Sequence, residues 1–131
     1  MAVKTALIID DEPDVTTYHG TVLSDHGWEV HTANSGIDGI SIAQEKIPDV
    51  IMLDVMMPEK GGLSTLIALR KDNRTKTIPV VLVTGIQETL TADFGAFLDR
   101  FKTYNPDGYM EKPIDVDKLI ETLDKLVVGA N

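Results

Sequence analysis

Short, uninterrupted apolar runs alternate in this sequence with longer segments whose apolar residues recur at helical spacing. Three of the runs, at residues 6–9, 50–53 and 80–83, contain no polar residue, which is typical of strands buried on both faces. Two weaker runs, at 28–32 and 109–110, bring the predicted strands to five. Strands of this kind that alternate with amphipathic helices predict a parallel sheet with helices packed on both faces.

Helical spacing and capping residues place five helices in the remaining sequence, at residues 13–27, 35–47, 63–70, 89–103 and 115–127. Pro13 suits a first helical turn, and Ser35 and Asp115 can act as N-caps. The predicted buried face of the first helix consists of Val15, Tyr18, Val22 and Leu23. Because crossovers between parallel strands are right-handed, this element order favours a flavodoxin-like α/β fold, a doubly wound five-stranded sheet in the order 2-1-3-4-5.

The charge balance and the lack of cysteine exclude several function classes. With 12 basic and 21 acidic residues the net charge is −9, which argues against binding to nucleic acids or anionic membranes. The absence of cysteine excludes disulfide scaffolds, thiol catalysis and cysteine-ligated zinc. His19, His26 and His31 match no metal-ligand spacing, and we expect the first two at a helix edge. No apolar run suits a signal peptide or a membrane span, so we expect a cytoplasmic protein of one domain, residues 1–131.

Polar side chains follow four of the five predicted strands. Asp10 and Asp11 come after the first strand, Asp54 after the third, Thr84 after the fourth, and Lys112 near the end of the fifth. Ligands of open parallel sheets bind beyond the carboxyl ends of the strands, near the point where the strand order reverses. We therefore expect the three carboxylates to converge on one pocket, with the threonine and the lysine at its rim.

Three adjacent carboxylates repel one another by a few kcal/mol per pair at an effective dielectric constant of about 20. A hard divalent cation with oxygen ligands, such as Mg²⁺, relieves this repulsion. A site that adds the Lys112 ammonium and the Thr84 hydroxyl suits a phosphoryl group. Asp54 is then a candidate nucleophile, as carboxylates are in aspartyl-phosphate chemistry.

Four motifs in this order resemble the response-regulator receiver domains of bacterial two-component signalling. They are Asp10-Asp11-Glu12-Pro13, Asp54-Val55-Met56-Met57-Pro58 with Gly61-Gly62, Thr84-Gly85, and Lys112-Pro113. The resemblance covers essentially the whole chain. It implies that Asp54 is the phosphoacceptor and takes a phosphoryl group from a histidine kinase or a phosphotransfer protein.

The resemblance also implies a role for each residue around the acceptor. Asp10, Asp11, Asp54 and the carbonyl oxygen of Met56 would hold Mg²⁺ or Mn²⁺. Lys112 and Thr84, with the backbone N–H groups of Val55, Met56 and Gly85, would contact the phosphoryl group. The Lys112–Pro113 bond would be cis. Thr84 and Tyr109 would switch position on activation and change the surface formed by the fourth helix, the fifth strand and the fifth helix.

The sequence departs from the family pattern in the segment at 89–107, which is longer than usual. This segment contains every phenylalanine of the chain, namely Phe94, Phe97 and Phe101. We expect these side chains to pack on the sheet, and the alternative is a hydrophobic surface for a partner protein.

The leading interpretation is a phospho-accepting switch that controls a partner protein or an output domain outside this sequence. It would be no enzyme beyond assisting its own phosphorylation and slow dephosphorylation. Met56 and Ile86 are apolar where family side chains flank the attacking water, so we predict slow loss of the phosphoryl group. An alternative is a Mg²⁺-dependent phosphohydrolase, which Met56 disfavours because such enzymes carry an acid/base Asp there. A degenerate receiver that binds constitutively is disfavoured because all the key residues are present.

Overall fold

The computed structural model describes residues 3–55, 57, 61–85 and 94–129. Its strands are β1 (Thr5–Ile9), β2 (Glu29–Ala33), β3 (Val50–Asp54), β4 (Val80–Gly85) and β5 (Gly108–Lys112). They form one parallel sheet in the order β2-β1-β3-β4-β5, which confirms the predicted topology.

The helices of the described part of the chain are α1 (Pro13–Asp25), α2 (Gly36–Lys46), α3 (Gly62–Lys71), α4 (Phe94–Lys102) and α5 (Val116–Gly129). Two predicted N-caps are confirmed. The Ser35 hydroxyl accepts a hydrogen bond from the Asp38 N–H at 3.1 Å, and the Asp115 carboxylate accepts one from the Lys118 N–H at 3.1 Å. Within the described ranges, no helix is both long and apolar enough to cross a bilayer.

Apolar side chains from β1, β3 and β4 point alternately to the two faces of the sheet and build two separate cores. One core packs Leu7, Ile9, Ile51, Leu53 and Leu82 against α2, α3 and α4. The other packs Ala6, Ile8, Met52, Val81 and Val83 against α1 and α5. Because both faces of these strands are filled by apolar groups, polar chemistry is confined to the strand ends.

Phe101 is fully buried in the core on the α4 side of the sheet, as the packing prediction for the segment at 89–107 expected. The side chains of Phe94 and Phe97 lie outside the described part of the structure, as do residues 86–93. The predicted start of the fourth helix therefore stays a prediction.

The predicted buried face of α1 is confirmed at Leu23 and in part at Val22, which is half-buried against the same core, and it is wrong at Tyr18. Tyr18 is 54% exposed, whereas the buried residues are Thr16, His19, Gly20 and Leu23. Gly20 faces β2, where a Cβ atom built on it would lie in ordinary contact distance, 3.5 Å, of the Val30 side chain. The prediction that His19 lies at the helix edge is wrong, because this residue is buried and only 6% exposed.

Arg70 of α3 connects the α3–β4 turn to the α4–β5 turn, at the opposite end of the sheet from Asp54. Its guanidinium donates hydrogen bonds of 2.7 to 3.2 Å to the carbonyl oxygens of Lys76, Ile78, Tyr104 and Asn105 and to the carboxylate of Asp107. The same Asp107 carboxylate accepts the Val80 N–H at 2.8 Å. We call this arrangement the Arg70 clasp. It fixes the start of β4 and the approach to β5.

Candidate functional site

The carboxyl ends of β1, β3 and β5 bring Asp10, Asp54 and Lys112 together. Lys112 Nζ lies 2.8 Å from Asp10 Oδ2 and 3.7 Å from Asp54 Oδ2. The two carboxylate side chains are only 4% and 6% exposed, and the lysine side chain is 22% exposed. Residues distant in sequence thus meet in one partly enclosed ion-pair network.

The Lys112 amine is held in its charged form. Burial is the largest single influence and by itself lowers the pKa of this amine. The hydrogen bond to Asp10 and the negative charges of Asp54, Asp10 and Glu12 together outweigh it, so the pKa of Lys112 lies above its ordinary value. The site therefore contains a fixed positive charge at physiological pH.

The turn between β1 and α1 forms a cluster of carboxylates. Asp10, Asp11 and Glu12 each offer an oxygen atom, and these oxygens lie within 4.8 Å of one another. Asp10 is buried, Asp11 is half-buried, and the Glu12 N–H donates to Asp10 Oδ1 at 3.0 Å. Adjacent hard oxygen donors fit the ligand preference of Mg²⁺ or Mn²⁺. Among the described residues, Asp54 is not part of this compact group and joins it through Lys112.

Glu12 and Asn34 are residues near the site to which the sequence prediction assigned no role. Glu12 belongs to the carboxylate cluster, and Asn34 Nδ2 donates to the carbonyl oxygen of Asp10 at 3.0 Å. The position of Asn34 directly after β2, the neighbour of β1, is the signal that could have indicated it. Its contact depends on side-chain geometry that apolar periodicity does not encode.

Gly62, at the start of α3, lies directly against the backbone that carries Asp54. A Cβ atom at this position would lie 2.6 Å from Val55 Cα and 2.7 Å from the Asp54 carbonyl oxygen. Both neighbours are backbone atoms, which cannot rotate away as a side chain can. The lack of a side chain at Gly62 thus lets α3 begin beside the end of β3.

Thr84 and Tyr109 line the same cavity, which has a volume of about 480 Å³ and lies between α4, β5 and α5. Thr84 is buried, and its hydroxyl makes a long contact of 3.5 Å with the Met110 carbonyl oxygen. The Tyr109 side chain is 44% exposed. The cavity provides space into which a neighbouring side chain can move.

Three backbone N–H groups, those of Val55, Met56 and Gly85, are predicted to contact a phosphoryl group, and the structure describes two of these residues. The Val55 N–H donates to the Val83 carbonyl oxygen at 3.1 Å, because the pairing of β3 with β4 continues beyond Asp54. In this structure the Val55 N–H is therefore used by the sheet and is not directed at a phosphoryl site. Gly85 ends β4, whereas Met56 lies outside the described residues. The predicted cis peptide bond between Lys112 and Pro113 is confirmed.

Comparisons with known proteins agree with this site and fold. Residues 6–124 match the family described as the response regulator receiver domain. Protein PilH of Pseudomonas aeruginosa is 32% identical over 123 residues, covering 94% of this chain and 97% of PilH. The DNA-binding dual master transcriptional regulator RpaA of Synechocystis is 33% identical over 123 residues, covering 92% of this chain and 48% of RpaA.

A similar solved structure is that of the chemotaxis protein CheY4 of Vibrio cholerae. It superimposes with a TM-score of 0.84 at 28% identity, covering 95% of this chain and 99% of CheY4. The family match begins in β1 and ends in α5, so it includes nearly the whole sheet. The chain therefore belongs to the response regulator receiver domain family of two-component signalling systems.

Proposed function

We propose that this chain is a phosphorylation-controlled switch in which Asp54 is the phosphoacceptor. The observation that supports this most strongly is the Lys112 ammonium, which lies between the buried carboxylates of Asp10 and Asp54. A cation fixed beside a buried carboxylate can pair with the oxygens of a phosphoryl group that arrives there. The donor would be the phosphohistidine of a histidine kinase or of a phosphotransfer protein, and the reaction would take place in the cytoplasm.

In the transfer step, a carboxylate oxygen of Asp54 attacks the phosphorus atom of the phosphohistidine. The new O–P bond forms as the P–N bond breaks, and the imidazole leaves with the electron pair and takes up a proton. Lys112 shifts its pairing from the Asp54 carboxylate to a phosphoryl oxygen. The Thr84 hydroxyl and the N–H groups of Met56 and Gly85 are the further proposed donors.

Asp10, Asp11, Asp54 and the carbonyl oxygen of Met56 are proposed to hold Mg²⁺ or Mn²⁺, and Glu12 lies next to them in the carboxylate cluster. When bound, the divalent cation supplies positive charge that offsets repulsion between the carboxylates and the phosphoryl oxygens. Asp10 and Asp11, whose side-chain oxygens already lie within 4.8 Å of each other, are suitable members of this donor set.

The signal would pass from Thr84 to the surface through the cavity described above. A phosphoryl oxygen is a stronger acceptor than the Met110 carbonyl oxygen at 3.5 Å, so the hydroxyl moves toward it. This movement leaves room on the inner side of Tyr109, whose exposed ring then turns inward. The population shifts toward a second arrangement of α4, β5 and α5, which a downstream protein partner binds differently.

The experiment is intact-protein mass spectrometry after incubation with acetyl phosphate, with Mg²⁺ or with EDTA. We expect the wild type to gain one phosphoryl group only with Mg²⁺, and Asp54→Asn to gain none. Asp38→Asn is the matched control, because Asp38 is an exposed carboxylate of α2, and it should be labelled like the wild type. Equal labelling of wild type and Asp54→Asn would contradict the assignment of the acceptor.

A further inference from the structure

Beyond the last paired residues of β1 and β2, the side-chain amide of Asn34 takes the place of a backbone N–H of β2 as hydrogen-bond donor to β1. The last paired residues of the two strands are Ile9 and Ala33, and the Asp10 N–H still donates to the Ala33 carbonyl oxygen at 3.0 Å. The chain then turns into α2, so the ladder offers no further donor to β1. Asn34 Nδ2 supplies one to the Asp10 carbonyl oxygen at 3.0 Å.

The same amide also reaches α1. Asn34 Nδ2 lies 3.3 Å from Thr16 Oγ1, and the Thr16 hydroxyl donates to the Pro13 carbonyl oxygen at 2.9 Å. Thr16 is buried, so this part of the network is shielded from water. Asn34 thus contacts Asp10, where the turn that carries the acidic cluster begins, and Thr16, in the first turn of α1.

The contact with the Asp10 carbonyl controls the direction of the chain at Asp11. The Asp10 carbonyl and the Asp11 N–H belong to one planar peptide group, so holding the carbonyl oxygen fixes that plane. On its other side, the Asp10 carboxylate is held by the Glu12 N–H at 3.0 Å and by Lys112 Nζ at 2.8 Å. The cluster is therefore arranged by contacts within the protein before any cation binds.

We infer that Asn34 is a positioning residue for the divalent-cation site: its amide holds the Asp10–Asp11 peptide in the orientation that binds Mg²⁺. The inference rests on the proposed function, because it takes the carboxylate cluster as the cation site. Preorganised ligands bind more tightly because less conformational freedom is lost on binding. Loss of one hydrogen bond on an exposed residue predicts about a five-fold weaker Mg²⁺ affinity.

The test is a Mg²⁺ titration without a phosphodonor, followed through the backbone amide signals of ¹⁵N-labelled protein. We expect Asn34→Ala to raise the Mg²⁺ dissociation constant about five-fold, which is the loss expected for one net hydrogen bond. The matched control is Gln44→Ala, which removes a side-chain amide that donates to Asp72 at 2.8 Å, far from the cluster. Its Mg²⁺ affinity should equal that of the wild type.

Thr16→Val is a second variant, because it removes the more distant acceptor of the Asn34 amide and keeps the contact with Asp10. We expect its Mg²⁺ affinity to stay within about two-fold of the wild type. The inference is overturned if Asn34→Ala binds Mg²⁺ like the wild type, if Gln44→Ala weakens binding equally, or if Thr16→Val has the larger effect. A wild type whose turn signals ignore Mg²⁺ contradicts the proposed cation site as well, so the two failures are distinguishable.

Discussion

Replacement of Lys112 by methionine removes the positive charge between two buried carboxylates and keeps an unbranched side chain of similar size. At an effective dielectric constant of about 20, the attraction is about 6 kcal/mol for the 2.8 Å pair with Asp10 and about 4.5 kcal/mol for the 3.7 Å pair with Asp54. The desolvation of the ammonium offsets part of this attraction. Removal of one partner from a buried pair commonly costs about 3–5 kcal/mol. Because Lys112 stays 22% exposed, we expect the lower end, a loss of about 3 kcal/mol.

The assay is urea unfolding of wild type and Lys112→Met, each in EDTA and in saturating Mg²⁺. The loss should be largest in EDTA and should shrink in Mg²⁺, because a bound divalent cation neutralises the same carboxylates. The matched control is Lys125→Met on α5, where an exposed pair with Glu121 should contribute less than about 0.5 kcal/mol. Equal stability of Lys112→Met and wild type in EDTA would refute the reasoning, as would an equal loss in Lys125→Met.

The pH dependence of this difference follows from the raised pKa of Lys112. The pKa of Lys112 is higher in the folded protein than in the unfolded chain, where the pKa of lysine is about 10.4. At pH values below about 10.4, the charged lysine therefore makes its full contribution to the free energy of unfolding. This contribution is lost only as the pH rises above that value. The difference between wild type and Lys112→Met should therefore be constant from about pH 7.5 to pH 9, above the range in which His19 titrates.

Three further substitutions test contacts at both ends of the sheet and on α1. Arg70→Met removes the donor of the Arg70 clasp and should lower the free energy of unfolding by about 3 kcal/mol in a urea titration. Arg74→Met removes an exposed guanidinium that pairs with Asp72 and should leave the free energy of unfolding unchanged. Equal losses in the two variants would contradict the clasp. Gly62→Ala should lower the free energy of unfolding by about 2 kcal/mol and slow phosphorylation. Gly95→Ala places its methyl group in open space on α4 and should raise the free energy of unfolding by up to about 1 kcal/mol. A neutral Gly62→Ala would refute the close contact of α3 with β3. Burial lowers the pKa of His19, so wild-type stability should fall as the pH drops below about 6.5, by at most about 1.4 kcal/mol per pH unit. His19→Gln should flatten this slope, and parallel curves for the two proteins would exclude His19 as its source.

The sheet topology was predictable because local sequence patterns indicate each strand and each helix. The runs at 6–9, 50–53 and 80–83 have no polar position, so these strands needed cover on both faces. The polar residues that follow the strands must then lie at one edge of the sheet. The structure brings Asp10, Asp54 and Lys112 together in the way this reasoning indicates.

The parts that were wrong or missed depend on packing between elements. The face of α1 that packs on the sheet includes Thr16, His19 and Gly20, so Tyr18 is exposed although it fits the apolar period. The Val55 N–H is used by the sheet because β3 and β4 pair one residue further than the apolar run. The contact of Asn34 with Asp10 joins two turns 24 residues apart, and no single helix or strand pattern encodes it.

The most direct test of the central claim locates the phosphoryl group on the chain. After reaction with acetyl phosphate and Mg²⁺, borohydride reduces an aspartyl phosphate to homoserine, and tandem mass spectrometry of the digested protein reports the modified position. We expect homoserine at position 54 and at no other aspartate. Homoserine at position 10 or 11, or its absence from a protein that has gained a phosphoryl group, would contradict Asp54 as the phosphoacceptor.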